Sequence, residues 1–179
     1  EQFIPAGERV RSYRDEPAPI GGGQTISQPY MTALMAELLE LHGDEKVLEV
    51  GTGLGYHAAV LGALAAWVVS IELLPELAAQ ARENLERTGR AGNVKVICGD
   101  GSQGWLEEAP YDAISVAAGS PEVPAALLEQ LADPGRLVIP VGELTDQELR
   151  VVTRVEGKIE WRGATMCRFV PLRGEQGWR

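Results

Sequence analysis

One stretch narrows the possible folds more than any other. In Val47-Leu48-Glu49-Val50-Gly51-Thr52-Gly53-Leu54-Gly55-Tyr56 an apolar, strand-like run passes into glycines at alternate positions and then into helical periodicity. Glycine lets a chain turn this tightly between strand and helix and lets a ligand approach the main chain. The spacing G-x-G-x-G is one residue shorter than the dinucleotide fingerprint G-x-G-x-x-G. A pyrophosphate needs the exposed amides of a helix N-terminus, whereas S-adenosylmethionine carries no phosphate and needs only close backbone contact. On the loop alone three readings stand: an adenosylmethionine site, a dinucleotide site, and glycines kept for packing.

The pattern around the loop sets the fold class. Short apolar runs at Lys46–Val50, Val68–Ile71, Val94–Cys98, Ala113–Val116 and Arg136–Val141 alternate with helical stretches from about Tyr56, from Pro75 to Arg87 and near Val123–Leu131. Strand and helix in strict alternation predict an α/β fold with a largely parallel sheet covered by helices on both faces. A helix is expected before the first strand, because Tyr30, Met31, Leu34, Met35, Leu38, Leu39 and Leu41 recur at helical spacing, with Ser27 as N-cap and Gly43 as stop. Residues 1–26, rich in Pro and Gly, read as an arm or loop. Leu149–Val155 and Met166–Leu172 read as an antiparallel strand pair closing one sheet edge. The expected division is a single domain over 1–179, with an arm (1–26), a cofactor-binding core (27–145) and C-terminal strands (146–179).

Acids follow the loop at places where a nucleoside would meet them. Glu72 ends the second strand, where a carboxylate can accept hydrogen bonds from both ribose hydroxyls of an adenosine. Gly99-Asp100-Gly101 follows the third strand and suits a loop wrapping an adenine edge. Glu49, just before the first glycine, either faces the positive end of a cofactor or points out of the sheet end. Three acids converging on one pocket would fit a sulfonium cation better than a dinucleotide. His42 reads as polar surface at a helix end and His57 as packing in a first helical turn. Trp67, Trp105, Trp161 and Trp178 read as core or rim aromatics. Cys98 and Cys167 read as buried structural thiols, and no metal site is expected.

Composition excludes several partners. The chain has 179 residues, 45% hydrophobic and 23% charged, enough for a core without disulfides or metal. A formal net charge of −10 opposes polyanions, so nucleic acid and anionic membrane are poor partners. The longest apolar run, Ala58 to Ile71, is interrupted by Gly62 and Ser70 and falls short of the roughly 20 residues that cross a bilayer. No secretory h-region is visible in residues 1–20, so the expected compartment is the cytoplasm.

Gly23-Gln24-Thr25-Ile26-Ser27-Gln28-Pro29-Tyr30, followed by Glu49-Val-Gly-Thr-Gly-Leu-Gly-Tyr56, resembles the protein-L-isoaspartate (D-aspartate) O-methyltransferase family. The likeness continues through Gly99-Asp-Gly101, Ala109-Pro-Tyr-Asp-Ala-Ile114, Gly135-Arg-Leu-Val-Ile-Pro-Val-Gly142 and Phe169-Val-Pro-Leu172, and so runs in order over nearly the whole chain. The resemblance implies a class I, Rossmann-like methyltransferase fold and transfer of the S-adenosylmethionine methyl to the free α-carboxylate of isoaspartyl residues in damaged proteins, leaving S-adenosylhomocysteine. It implies Ser27 as the catalytic position. Gln24, Thr25, Ile26, Glu49, Gly51, Thr52, Gly53, Gly55, Glu72, Asp100 and Gly101 are implied in cofactor binding. Thr25, Ile26, Ser27 and the Val170-Pro171-Leu172 strand are implied in binding a peptide. A monomer acting on isoaspartyl proteins and peptides is expected. Leu54 stands where the family commonly has serine, and Ala18 where leucine is usual before Pro-Ile-Gly. The likeness begins almost at Phe3-Ile4-Pro5, so the helical segment that family members carry ahead of this point is expected to be absent.

Overall fold

The computed structural model describes residues 1–178. After a 3-10 turn at Ala6–Arg11, residues Ala18–Gly21 (β1) and Gln24–Ile26 (β2) form an antiparallel hairpin closed by Gly22-Gly23, both at positive φ. The expected arm is therefore a turn and a hairpin. Its signal was the Gly-Gly pair, which fits the tight turn of a two-residue hairpin.

The hairpin leads into α1, Pro29–Leu38. The N-cap is Gln28 and Pro29 opens the helix, so Ser27 is not the cap expected of it. Proline fixes φ at the helical value and lacks the amide that a first-turn residue would leave unpaired, so the helix starts with it. The elements that follow are β3 (Lys46–Val50), α2 (Tyr56–Leu64), β4 (Trp67–Glu72), α3 (Pro75–Arg87), β5 (Val94–Cys98), β6 (Tyr111–Val116), α4 (Ala125–Glu129), β7 (Leu131–Gly142), β8 (Gln147–Val155) and β9 (Lys158–Cys167). Seven strands form one sheet in the order β5-β4-β3-β6-β7-β8-β9, with β5 through β7 parallel and β8 and β9 added antiparallel.

One expected strand is displaced. The partner of β8 is Lys158–Cys167, joined to it by Glu156-Gly157, both at positive φ. Met166–Leu172 lies almost wholly outside the sheet. As the edge strand, β9 is exposed at nearly every position, so it shows none of the apolar runs that mark the inner strands.

Alternation along the strands builds two cores. Val47, Val68, Ala113 and Val138 pack with Met31 and Met35 of α1, Ala58 and Leu61 of α2, and Leu85 of α3. Leu48, Val50, Val69, Ile71, Ile114 and Leu137 pack on the other face with Tyr111 and with Leu127 of α4. The chain moves outward from β3 to β5 and then returns to place β6 beside β3. At such a reversal the connections leaving adjacent strands diverge, and a crevice opens at their C-terminal ends. The glycine loop leaves β3 and Ala117 leaves β6 at that crevice.

Cys98 is exposed, against expectation, and Cys167 is only partly buried. Both end edge strands, where no neighbouring strand shields a side chain.

Candidate functional site

A cavity of about 120 Å³ occupies the crevice. Its floor is the glycine loop, with Gly51 and Gly53, and its flanks include Glu72, Gly101 and Ala117. A Cβ on Gly51 would lie 3.5 Å from that of Ala117, and one on Gly53 would lie 3.2 Å from Ile20 Cδ1. Gly53 also adopts φ +56, so a side chain there would be strained as well as crowded.

Glu72 is buried and anchored. One carboxylate oxygen accepts the amide of Gly53 at 2.8 Å and the other accepts the amide of Leu74 at 3.0 Å. A carboxylate oxygen has about two lone-pair sites, so each retains capacity for a ligand hydroxyl. Residues from distant parts of the chain complete the walls. Gln24 and Thr25 come from β2, and Val170, Pro171 and Leu172 come from the C-terminal segment. That segment is pinned by Gly119, whose amide donates to the Val170 carbonyl and whose carbonyl accepts the Leu172 amide, both at 2.8 Å. Val170–Leu172 is thus a bridged segment rather than the strand expected. The expected division at residues 26 and 145 does not follow the site, since both flanking parts supply walls.

Behind the loop lies a smaller recess of about 50 Å³, lined by Thr25, Ile26, Ser27, Thr52 and His57 among others. It shares Ile20, Thr25, Gly51, Gly53 and Ala117 with the larger cavity.

Three of the implied cofactor residues line neither space. Glu49 is fully buried beneath α2. Side chains alternate along a strand, so with Leu48 and Val50 on one face Glu49 must share the opposite face with Val47. There Ser70, its register partner on β4, donates a hydrogen bond to Glu49 Oε2, and Thr52 bonds to Ser70 at 2.5 Å. Burial pushes the Glu49 carboxyl up to about 8, partly opposed by the Ser70 hydrogen bond.

Asp100 instead ties loops together. It accepts hydrogen bonds from the Ser102 amide (2.9 Å), the Ser102 hydroxyl (2.7 Å) and the Glu175 amide (2.8 Å). Partial burial alone would raise its carboxyl, but these donors hold it below the usual range. Gly55, at φ +90, starts α2 and lets it pack on α3, where a Cβ would meet the Ala81 carbonyl and Leu85 at 3.3 Å. Of the three acids, then, Glu72 alone lines the cavity, and Arg173 also contributes to its wall. The expected convergence of acids does not occur.

Several contributors carried little sequence signal. Ile20, Leu54 and Leu77 form a small apolar cluster that fastens the hairpin to α3, so Leu54 does packing where the family commonly has serine. His57, expected only to pack, has its Nδ1 3.6 Å from Glu49 Oε1, while its Nε2 is buried without a hydrogen-bond partner.

Comparison with known proteins agrees with this geometry. Residues 1–177 match the family described as protein-L-isoaspartate(D-aspartate) O-methyltransferase. A protein-L-isoaspartate O-methyltransferase 2 from Marinobacter nauticus is 59% identical over 180 residues, covering 99% of this chain and 82% of that protein. A protein-L-isoaspartate O-methyltransferase from Methanoculleus marisnigri is 51% identical, covering 99% and 80%. Among solved structures, a protein-L-isoaspartate O-methyltransferase superposes with TM-score 0.88 at 32% identity over 99% of this chain, which spans 59% of that longer chain. A structure of this class from Plasmodium falciparum, in complex with S-adenosyl-L-homocysteine, superposes with TM-score 0.81 at 28% identity, covering 96% and 84%. With the sheet order, the glycine-floored crevice and these matches in agreement, the chain belongs to the protein-L-isoaspartate (D-aspartate) O-methyltransferase family.

Proposed function

We propose that this chain methylates the free α-carboxylate of L-isoaspartyl residues in damaged proteins and peptides, using S-adenosylmethionine bound in the crevice. One observation carries the reading. Gln24–Ser27 and Val170–Leu172, far apart in sequence, meet at the same glycine loop that carries Gly51 and Gly53, beside Glu72.

The residues present suit an adenosine ligand. Glu72 retains acceptor capacity inside the cavity, and the close approach of Gly51 and Gly53 leaves backbone open to a ligand. Gly101 permits the same on the far wall, where a Cβ would lie 2.5 Å from Val50 Cγ1. When bound, the cofactor supplies an electrophilic sulfonium methyl. The acceptor needs no activation, because an α-carboxyl has a reference pKa near 3.5 and is ionised at neutral pH. Accordingly the buried imidazole of His57, pulled down to about 4 by desolvation, is too weak a base to be useful and none is required. What remains for the protein is orientation and exclusion of water, contributions worth about 7–11 kcal/mol when well arranged. Ser27, which lines the recess, would donate a hydrogen bond to the acceptor carboxylate. Thr25, Ile26 and Val170–Leu172 would hold the peptide around it.

The net charge of −10 supports a protein acceptor over nucleic acid or an anionic membrane. Among the described residues no helix is long and apolar enough to cross a membrane. The test is incubation with labelled S-adenosylmethionine and an isoaspartyl peptide beside its aspartyl twin. Base-labile label on the isoaspartyl peptide alone is expected, and equal labelling of both peptides, or label in RNA, overturns the reading.

A further inference from the structure

The sheet ends at β9, which pairs with β8 alone and is exposed at every position from Lys158 to Ala164. Unpaired backbone groups on such an edge are a template for another strand, and proteins commonly block the pairing with charges. β9 carries charges, yet they do not repel a copy of itself. Side chains alternate along a strand, so Lys158, Glu160 and Arg162 stand on one face of the sheet and Ile159, Trp161 and Gly163 on the other. Among the described residues none of the three charges has an ion-pair partner. On the apolar face Trp161 is 57% exposed. The Arg150 guanidinium lies 4.1 Å from the centre of its ring and is itself held by Glu148 at 3.0 Å, so a large apolar surface is fixed in place while still facing solvent.

Two copies joined edge to edge by a two-fold axis run antiparallel and keep corresponding sheet faces together, so each residue meets one from its own face. The regular part of β9 is short. Glu156-Gly157 makes the turn before it, and the register shifts after Gly163, where Ala164 is left unpaired. Within that span, an axis through Trp161 aligns Ile159–Gly163 of both copies. Glu160 then meets the partner's Arg162, and Arg162 meets the partner's Glu160. On the other face the two Trp161 rings meet, and each Ile159 lies opposite the partner's Gly163, which has no side chain to obstruct it. An axis through Glu160 or Arg162 would set like charges opposite each other, which is destabilising. An axis through Ile159 would leave only Lys158–Glu160 to pair.

We infer that β9 is a self-association edge, through which two copies of this chain form an antiparallel two-fold dimer centred on Trp161, with one sheet continuous across both. The inference is independent of the reading of the crevice, and it departs from the monomer expected from the resemblance.

Sedimentation equilibrium of the full chain at low ionic strength should show a reversible monomer–dimer equilibrium. Five residues from each copy make a contact of the transient class, below about 1,200 Å², so loading should extend to about 1 mM. Glu160→Arg turns both charge pairs into contacts between arginines, and Arg162→Glu turns both into contacts between glutamates. Each should raise the dissociation constant by about 10-fold or more. An equimolar mixture of the two variants recreates both opposite-charge pairs and should associate like the parent, as should the double variant carrying Glu160→Arg and Arg162→Glu. Both positions are exposed, so circular dichroism should show parent-like folding. A parent that stays monomeric, single variants that dimerise like the parent, or a mixture that associates no better than either variant alone would overturn the inference. Should a single variant fail to fold, Trp161→Thr decides, since it keeps a strand-favouring residue and removes the central contact. Dimerisation undiminished in Trp161→Thr would overturn the inference as well.

Discussion

Glu72 and Gly53 are joined by a 2.8 Å hydrogen bond from the glycine amide to the carboxylate, which fastens the loop leaving β3 to the end of β4. The same carboxylate also holds the amide of Leu74, so it shapes the cavity floor before any ligand arrives. Its structural and binding roles can be separated in part, because a glutamine at this position keeps one carbonyl acceptor for a loop amide but loses the charge and the second acceptor.

Glu72→Gln should lower affinity for S-adenosylhomocysteine by about 10- to 150-fold, the worth of roughly 1.5–3 kcal/mol for a hydrogen bond to a charged acceptor. Glu72→Ala should lower it at least as much and reduce thermal stability too, since two loop amides lose their partner. Isothermal titration beside thermal melts checks this, and unchanged binding in Glu72→Gln would remove the carboxylate from the site.

Ser27 lies outside the helix cap, so Ser27→Ala should change stability by less than about 0.5 kcal/mol. On the proposed role of the hydroxyl in orienting the acceptor, kcat/KM toward an isoaspartyl peptide should fall by about 10-fold or more. Cofactor affinity should change little. Steady-state kinetics showing turnover like the parent's would move acceptor orientation to another residue of the loop.

The buried Glu49 and His57 titrate in opposite senses, and stability should follow them. Folded Glu49 keeps its proton up to about 8 where the unfolded carboxyl releases it near 4.5, so stability falls as pH rises between those values. Folded His57 stays neutral down to about 4 where the unfolded ring protonates near 6.5, so stability falls as pH drops through that range. Between about 4.5 and 6.5 the two slopes cancel, giving a plateau with a declining limb up to about pH 8. Glu49→Gln should flatten that alkaline limb, the difference from the parent growing by about 1.4 kcal/mol per pH unit at most. Urea unfolding across pH 4 to 9 tests it, and parallel curves for parent and variant would refute it.

Asp100 holds the amides of Ser102 and Glu175 together, and through them the C-terminal segment that walls the cavity. Asp100→Ala should cost about 1–3 kcal/mol and loosen that segment, because two amides lose a charged acceptor. Faster proteolytic clipping after Arg173 and weaker S-adenosylhomocysteine binding are expected together. Loss of binding without any change in clipping would instead place Asp100 in direct contact with the ligand.

Much of the framework was legible in the sequence. The spans Lys46–Val50, Pro75–Arg87 and Val94–Cys98 appear in the structure as the periodicity predicts, and the glycine loop sits between strand and helix as its spacing demands. These features follow from short-range rules: side-chain period, the turn glycine allows, and proline at a helix start. Ser27 shows their limit, since proline two residues later outweighed its preference for a cap.

Whatever depended on distant chain was decided by the fold. Glu49 reads in sequence like a cofactor acid, yet the sheet face that receives α2 turned it inward beneath His57. Asp100 was claimed by the amide of Glu175, and Gly55 by the approach of α3. Strand β9 shows no apolar run, because at the sheet edge only backbone pairing defines it. Burial and hydrogen-bond partners are properties of neighbours brought together by packing, and no local pattern carries them. The recess lined by Ser27, Thr52 and His57 exists only because the loop, α1 and the hairpin close around it.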